Sequence, residues 1–200
     1  MKQQWFKAGR LGAISDGVFA IAMTLLVLDL KFPELKGPIS SEAYTKALLG
    51  QAPHFLSWII SFAILCRLWI TQHALLEQDD KKSRGFTTIN FIFLGAISFI
   101  PFPTSLISEH SEHPLSVIIF SATLMVACLA LVGMWRLLEK KALEFDTLRE
   151  MNRRVRRVII WMPVIAIISC LLTLVSPRLG ILVWIVFPFS GLTMRLKKTR

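Results

Sequence analysis

Charge is scarce in this 200-residue chain and acid scarcer still: 18% of residues are charged, with 13 Asp and Glu against 23 Lys and Arg. Cysteine is scarce as well. Cys66, Cys128 and Cys170 each lie inside an apolar run, and none belongs to a Cys-x-x-Cys pair. They read as small buried hydrophobes, neither disulfide partners nor metal ligands. Zinc-finger spacings and RNP-like motifs are missing, so the formal net charge of +10 does not point to nucleic acid. No segment carries Arg at every third position, which removes an arginine-ladder voltage sensor. A cleaved leader is the other reading of an N-terminus with Lys2, Lys7 and Arg10 before an apolar segment. Asp16 interrupts that segment, however, and no small-x-small cleavage site precedes the next charges. It is read as a retained helix.

What is abundant is hydrocarbon. Apolar residues make up 54% of the chain and mean hydropathy is +0.59. Runs of roughly 20 apolar residues recur throughout, the length that crosses a bilayer as a helix. The windows predict an all-α integral membrane protein, one domain over residues 1–200, with six helices near 11–31, 54–77, 86–107, 114–138, 156–176 and 178–195. Pro53 precedes the second, and Pro114 suits the first turn of the fourth. The Pro101-Phe102-Pro103 cluster is expected to end the third. Pro177 forces the last two into a hairpin, and Pro163 and Pro188 are expected to kink their helices.

Orientation follows from the basic residues. Eighteen of the 23 flank the N-terminus, the second-to-third connection, the fourth-to-fifth connection and the C-terminus, whereas only Lys31, Lys36, Lys46 and Arg178 lie on the other side. Both termini are therefore expected in the cytoplasm. The charged connector 138–157, without Pro or Gly, is expected to stay helical beyond the membrane or to lie on anionic headgroups.

Polar residues inside the runs carry the functional signal, since an isolated carboxylate in hydrocarbon costs on the order of 3 kcal/mol. Arg10 to Leu30 is one membrane thickness of apolar sequence with Ser15 and Asp16 near its start. Beyond them Ile21, Leu25 and Leu28 recur at i, i+4, i+7 with Thr24 beside them, on one side of a helix. Such a stripe either lines a pore or packs into a bundle. At about 1.5 Å per residue, Asp16, His73 and Asn90 fall within one turn of the same depth. A hydrogen-bonded layer is expected there, with Ser15, Arg10 and Trp69, which shares a face with His73 at i, i+4. Arg67, about two turns deeper, has several readings: it snorkels, pairs with Asp16 or meets another subunit.

The string R-x-x-x-I-S-D-G-V-F-A-I-A-x-T-L-L-V-L, Arg10 to Leu28, resembles the signature of the transmembrane protein 175 family of potassium channels. Trp69-x-x-x-His73, and Asn90 followed by Pro101-Phe102-Pro103-Thr104, are similar to that family's pattern too; Ile14 stands where the family has Phe. With one copy of the motif, the chain looks like the prokaryotic, single-repeat form. The resemblance implies a homotetramer of six-helix subunits in a cell membrane, with the first helix of each lining the pore. It implies a hydrophobic constriction at Ile21, with Leu25 and Leu28 beyond it and Thr24 contributing to selectivity. Arg10, Ser15, Asp16, Trp69, His73 and Asn90 carry over as the polar motif that holds this helix. Potassium ions, the bilayer and further copies of the chain are the implied partners, with no cofactor and no nucleic acid. The residues agree in one respect: the only tyrosine, Tyr44, lies in a connecting loop and no T-V-G-Y-G loop exists, so a carbonyl-lined filter is not supported.

Two other function classes are carried forward. A proton-coupled secondary transporter would use Asp16, His73 and Arg67 as a relay. A membrane enzyme would need the metal-capable Glu109-His110-Ser111-Glu112-His113 loop, which reads better as a solvated acidic turn; no catalytic or metal-ligating set is assigned.

Overall fold

The computed structural model describes residues 8–31, 40–78, 83–142 and 146–186, and these are helical apart from short connections. In chain order the helices are α1 (Ala8–Leu25), α2 (Ser41–Gly50), α3 (Ala52–Leu76), α4 (Arg84–Phe99), α5 (Pro101–Glu109), α6 (Pro114–Ala142), α7 (Asp146–Thr173) and α8 (Pro177–Val186). Four stretches are long and apolar enough to cross a membrane by length and composition: Ala8–Asp29, Ser41–Leu76, Arg84–Glu109 and Pro114–Leu138. The expected fifth window, 156–176, overlaps α7 as far as Thr173. The sixth is represented by α8 as far as Val186, while Pro188 and the basic residues after it lie outside the described residues, as do Lys2, Lys7, Lys36, Lys81 and Lys82.

Local chemistry explains most boundaries. The Ser40 hydroxyl caps α2 by accepting from the Ala43 amide at 3.1 Å, and Ser83 caps α4 through Phe86 at 3.2 Å. After Leu25 the chain tightens into a 3₁₀ turn over Leu26–Asp29 and leaves the helix at Leu30. Pro53 sits in the first turn of α3, and Pro114 and Pro177 open α6 and α8. The Pro101-Phe102-Pro103 cluster does not end its span as expected. Its two prolines fall in the first turn of α5, where backbone donors have no intrahelical partner in any case. Ile100 keeps helical dihedrals and the Thr104 amide donates back to its carbonyl at 3.2 Å, so one apolar stretch runs from Arg84 to Glu109. Pro163 likewise lies inside a continuing α7.

One hydrophobic core joins the elements. It takes Leu11, Phe19 and Leu26 from the first span, Ile64, Leu65 and Leu68 from α3, Phe93 and Ile97 from α4, Leu131 and Met134 from α6, and Trp184 from α8. The Phe19 and Phe93 rings meet at 5.9 Å. α1 packs against α3 and α4, α6 against α4 and α7, and α7 against α8.

A buried polar knot holds the last three helices together. Ser169 donates to the Gly180 carbonyl at 2.8 Å and lies 2.8 Å from the Ser121 hydroxyl, and the Trp184 indole donates to both serines. Thr173 donates to the Ser169 carbonyl at 2.7 Å. Gly180 admits this approach because it has no side chain; a Cβ there would lie 2.1 Å from Thr173 Oγ1. At the turn of the same hairpin Arg178 pairs with Glu112 of the α5–α6 connection.

Candidate functional site

The first span, α1 and the 3₁₀ turn that follows it, has a buried face and a bare one. Leu11, Ser15, Phe19, Ala22 and Leu26, spaced by three or four, are buried against α3 and α4. On the other side Ile21 and Leu28 are 62% and 64% exposed, and Leu25 43%, so the stripe singled out by its spacing is left bare by the protomer. Thr24 lies on that side and donates its hydroxyl hydrogen to the Ile21 carbonyl at 2.9 Å. That commits the only donor of the hydroxyl and leaves the oxygen lone pairs free to accept.

The buried face is anchored by a polar chain running across three helices. Ser15 donates to the Leu11 carbonyl at 2.8 Å, and its oxygen accepts from Gln72 Nε2 at 2.7 Å. The second Nε2 hydrogen of Gln72 goes to Asn90 Oδ1 at 2.8 Å. All three side chains are buried, and Gln72 Oε1 and Asn90 Nδ2 have no partner among the described residues. Inside an apolar bundle such a chain fixes register, because sliding α1 along α3 would strand several polar atoms at once.

Asp16 belongs to a second, more exposed set. Its Oδ1 accepts from the Trp69 indole at 2.8 Å. The Trp69 ring stacks on His73 at 5.3 Å, and His73 Nε2 reaches Glu77 at 3.2 Å. The single layer expected from depth is therefore two separate sets of contacts. Asn90 joins Ser15 through Gln72, His73 reaches Asp16 only by way of the Trp69 ring, and Arg10 is exposed with no bond to a described residue. Depth along the membrane placed these groups at one level, but helix rotation decides which of them touch.

Gln72 is the residue that sequence reasoning missed. A signal existed: it lies one position from His73 and continues the Leu65, Leu68 face at i+4, so a polar amide occupies a core register. Arg67 lies two residues from Trp69, roughly 200° around α3. Within one protomer it therefore faces away from Asp16, and its Nε and Nη2 are buried with no partner among the described residues. The third polar contact near α1 is at its far end, where Ser108 of α5 approaches Asp29 at 3.4 Å. Thr104 donates to Ser61 at 2.9 Å one turn away, tying α5 to α3. α2, absent from the expected helices, carries Tyr44, Leu48 and Leu49 exposed.

Comparison with known proteins bears on this arrangement. The family model for the endosomal/lysosomal potassium channel TMEM175 matches residues 10–101, the part of the chain that holds both polar sets. A potassium channel of Chamaesiphon minutus is 37% identical over 108 residues, 54% of this chain and 53% of that protein. A Streptomyces collinus potassium channel is 29% identical over 144 residues, 70% of this chain and 68% of the relative. The human endosomal/lysosomal proton channel TMEM175 is 31% identical over 110 residues, which are 52% of this chain and 22% of the human protein. The matched segment thus spans about half the length of the Chamaesiphon relative. In three dimensions the chain is similar to the crystal structure of a lysosomal potassium-selective channel TMEM175 homolog from Chamaesiphon minutus. The TM-score is 0.79 at 25% identity, covering 93% of this chain and 96% of the other.

Proposed function

We propose, from its likeness to the TMEM175 family over residues 10–101 and to the fold of a TMEM175 homolog, that the chain is a potassium channel whose pore is lined by α1 from four copies of it. The observation that carries this reading is the bare face of α1. Ile21, Leu25 and Leu28 are apolar and exposed in the protomer, whereas Ser15 on the same span is buried and anchored to α3. A two-faced helix held on one side by a buried polar chain suits a wall that must keep its position while water and ions pass its other side.

Four Ile21 side chains around an axis make a constriction that dewets, and there is no carbonyl filter to replace an ion's full hydration shell. A cation then passes only after shedding part of its water, which costs less for large, weakly hydrated K⁺, Rb⁺ and Cs⁺ than for Na⁺. Thr24, with its hydrogen donated to the Ile21 carbonyl, offers oxygen lone pairs just beyond the constriction and replaces some of the lost water. Asp16, Trp69 and His73 on one side of α3, and Ser15, Gln72 and Asn90 in the core, hold the helix in place and do not face the ion. Six helices per subunit, with both termini in the cytoplasm of a cell that carries the channel in its plasma or inner membrane, complete the assembly. The proton-relay alternative loses support because Arg67 faces away from Asp16 within the protomer.

Purified protein in a planar bilayer, with reversal potentials measured under K⁺/Na⁺ gradients, tests the reading. Unitary current steps with a K⁺-favouring reversal potential are expected. Ile21→Asn should raise the current and weaken discrimination; unchanged current and selectivity in that variant would remove Ile21 from the conduction path.

A further inference from the structure

The turn between α5 and α6 brings together two imidazoles that permeation past α1 does not use. His110 ends α5 and His113 precedes Pro114, and the His113 amide closes the turn by donating to the His110 carbonyl at 3.1 Å. Positions i and i+3 of such a turn lie side by side, and the two rings stand 6.1 Å apart between centres at 76°. Both line one cavity of about 360 Å³, whose remaining wall is Leu106, Leu115, Ser116 and Ile119.

That spacing fits a shared ion. A divalent metal held at about 2.0–2.1 Å by one nitrogen of each imidazole lies about 3.2 Å from each ring centre, so rings sharing it at a tetrahedral angle have centres about 5.2 Å apart, a gap these two exposed side chains close by a small rotation. The Glu109 carboxylate is 3.9 Å from His110 Nε2, beyond hydrogen-bond reach but close enough for both to approach one cation. Glu112 is occupied by Arg178. No group of three or more metal-capable side chains is assembled among the described residues, so the protein supplies a two-point chelate and water completes the shell.

We propose that His110 and His113 form a low-affinity site for a borderline divalent cation such as Zn²⁺ or Ni²⁺, with Glu109 contributing charge beside it. Imidazole donors select this class over Mg²⁺ and Ca²⁺, which take all-oxygen shells. The site lies at the same end of α5 as Ser108, which approaches Asp29 of the first span.

The test is calorimetric titration of ZnCl₂ into the untagged, detergent-purified full chain, with MgCl₂ in parallel. One saturable Zn²⁺ site is expected, with no comparable Mg²⁺ signal. His110→Ala or His113→Ala should weaken it at least tenfold, the double variant should abolish it, and Glu109→Gln should weaken it about threefold. His110→Gln/His113→Gln, which keeps polarity in the turn, guards against a folding defect and should also abolish binding. A double variant that titrates like the native chain, or Mg²⁺ competing on equal terms, overturns the site. Neither result touches the channel reading, which rests on α1.

Discussion

Replacing Gln72 by Leu keeps the size of the side chain and removes the amide that joins Ser15 to Asn90. Ser15 keeps its bond to the Leu11 carbonyl, but Asn90 Oδ1 loses its partner in a site with no access to water. An orphaned buried acceptor costs about 1–3 kcal/mol, and interhelical bonds in membrane proteins average about 0.6 with a maximum near 1.7 kcal/mol. Gln72→Leu should therefore destabilise the fold by about 1–3 kcal/mol. Asn90→Leu should cost a similar amount, since it leaves one Gln72 hydrogen without an acceptor. The double variant removes both halves of the contact and leaves nothing orphaned between the two positions. Its destabilisation should fall short of the sum of the singles by about 1–1.5 kcal/mol, the signature of a direct pair. Equilibrium unfolding in mixed micelles gives the three free energies. Additivity within about 0.3–0.5 kcal/mol would show that the two amides are independent, and the account of a register-fixing chain would fail.

Trp69→Phe keeps a ring over His73 and removes the indole hydrogen bonded to Asp16; a loss of about 0.5–1.5 kcal/mol is expected in the same unfolding assay. Asp16→Asn in the Trp69→Phe background should then cost less than it does alone. Gly180→Ala inserts a Cβ 2.1 Å from Thr173 Oγ1, and overpacking of this kind costs about 1–3 kcal/mol even against the helix propensity gained. Thr173→Ala should recover part of that loss, which thermal unfolding of the single and double variants will show.

Much of the α1 anatomy was legible because periodicity is a local property. The i, i+4, i+7 spacing put Ile21, Leu25 and Leu28 on one side of a helix without knowledge of any neighbour, and in the protomer all three are exposed while Ser15 and Phe19 are buried. The serine before α4 and the prolines opening α6 and α8 act within a single turn and are equally readable. The restart of the helix at Ile100 was not, because a proline pair reads as a breaker unless the carbonyls around it are known to be re-engaged.

Hydropathy sums contributions residue by residue, so the chain alone determined that this is a helical protein with membrane-length apolar stretches. Partnership is a property of two residues at once, and a hydrogen bond of 2.8 Å depends on the rotation and offset of both helices that carry it. Only the packed structure therefore decided that Gln72 bridges Ser15 and Asn90, that Asp16 takes Trp69 while Arg67 faces the opposite flank, and that Ser121, Ser169 and Trp184 close a knot around a side-chain-free Gly180.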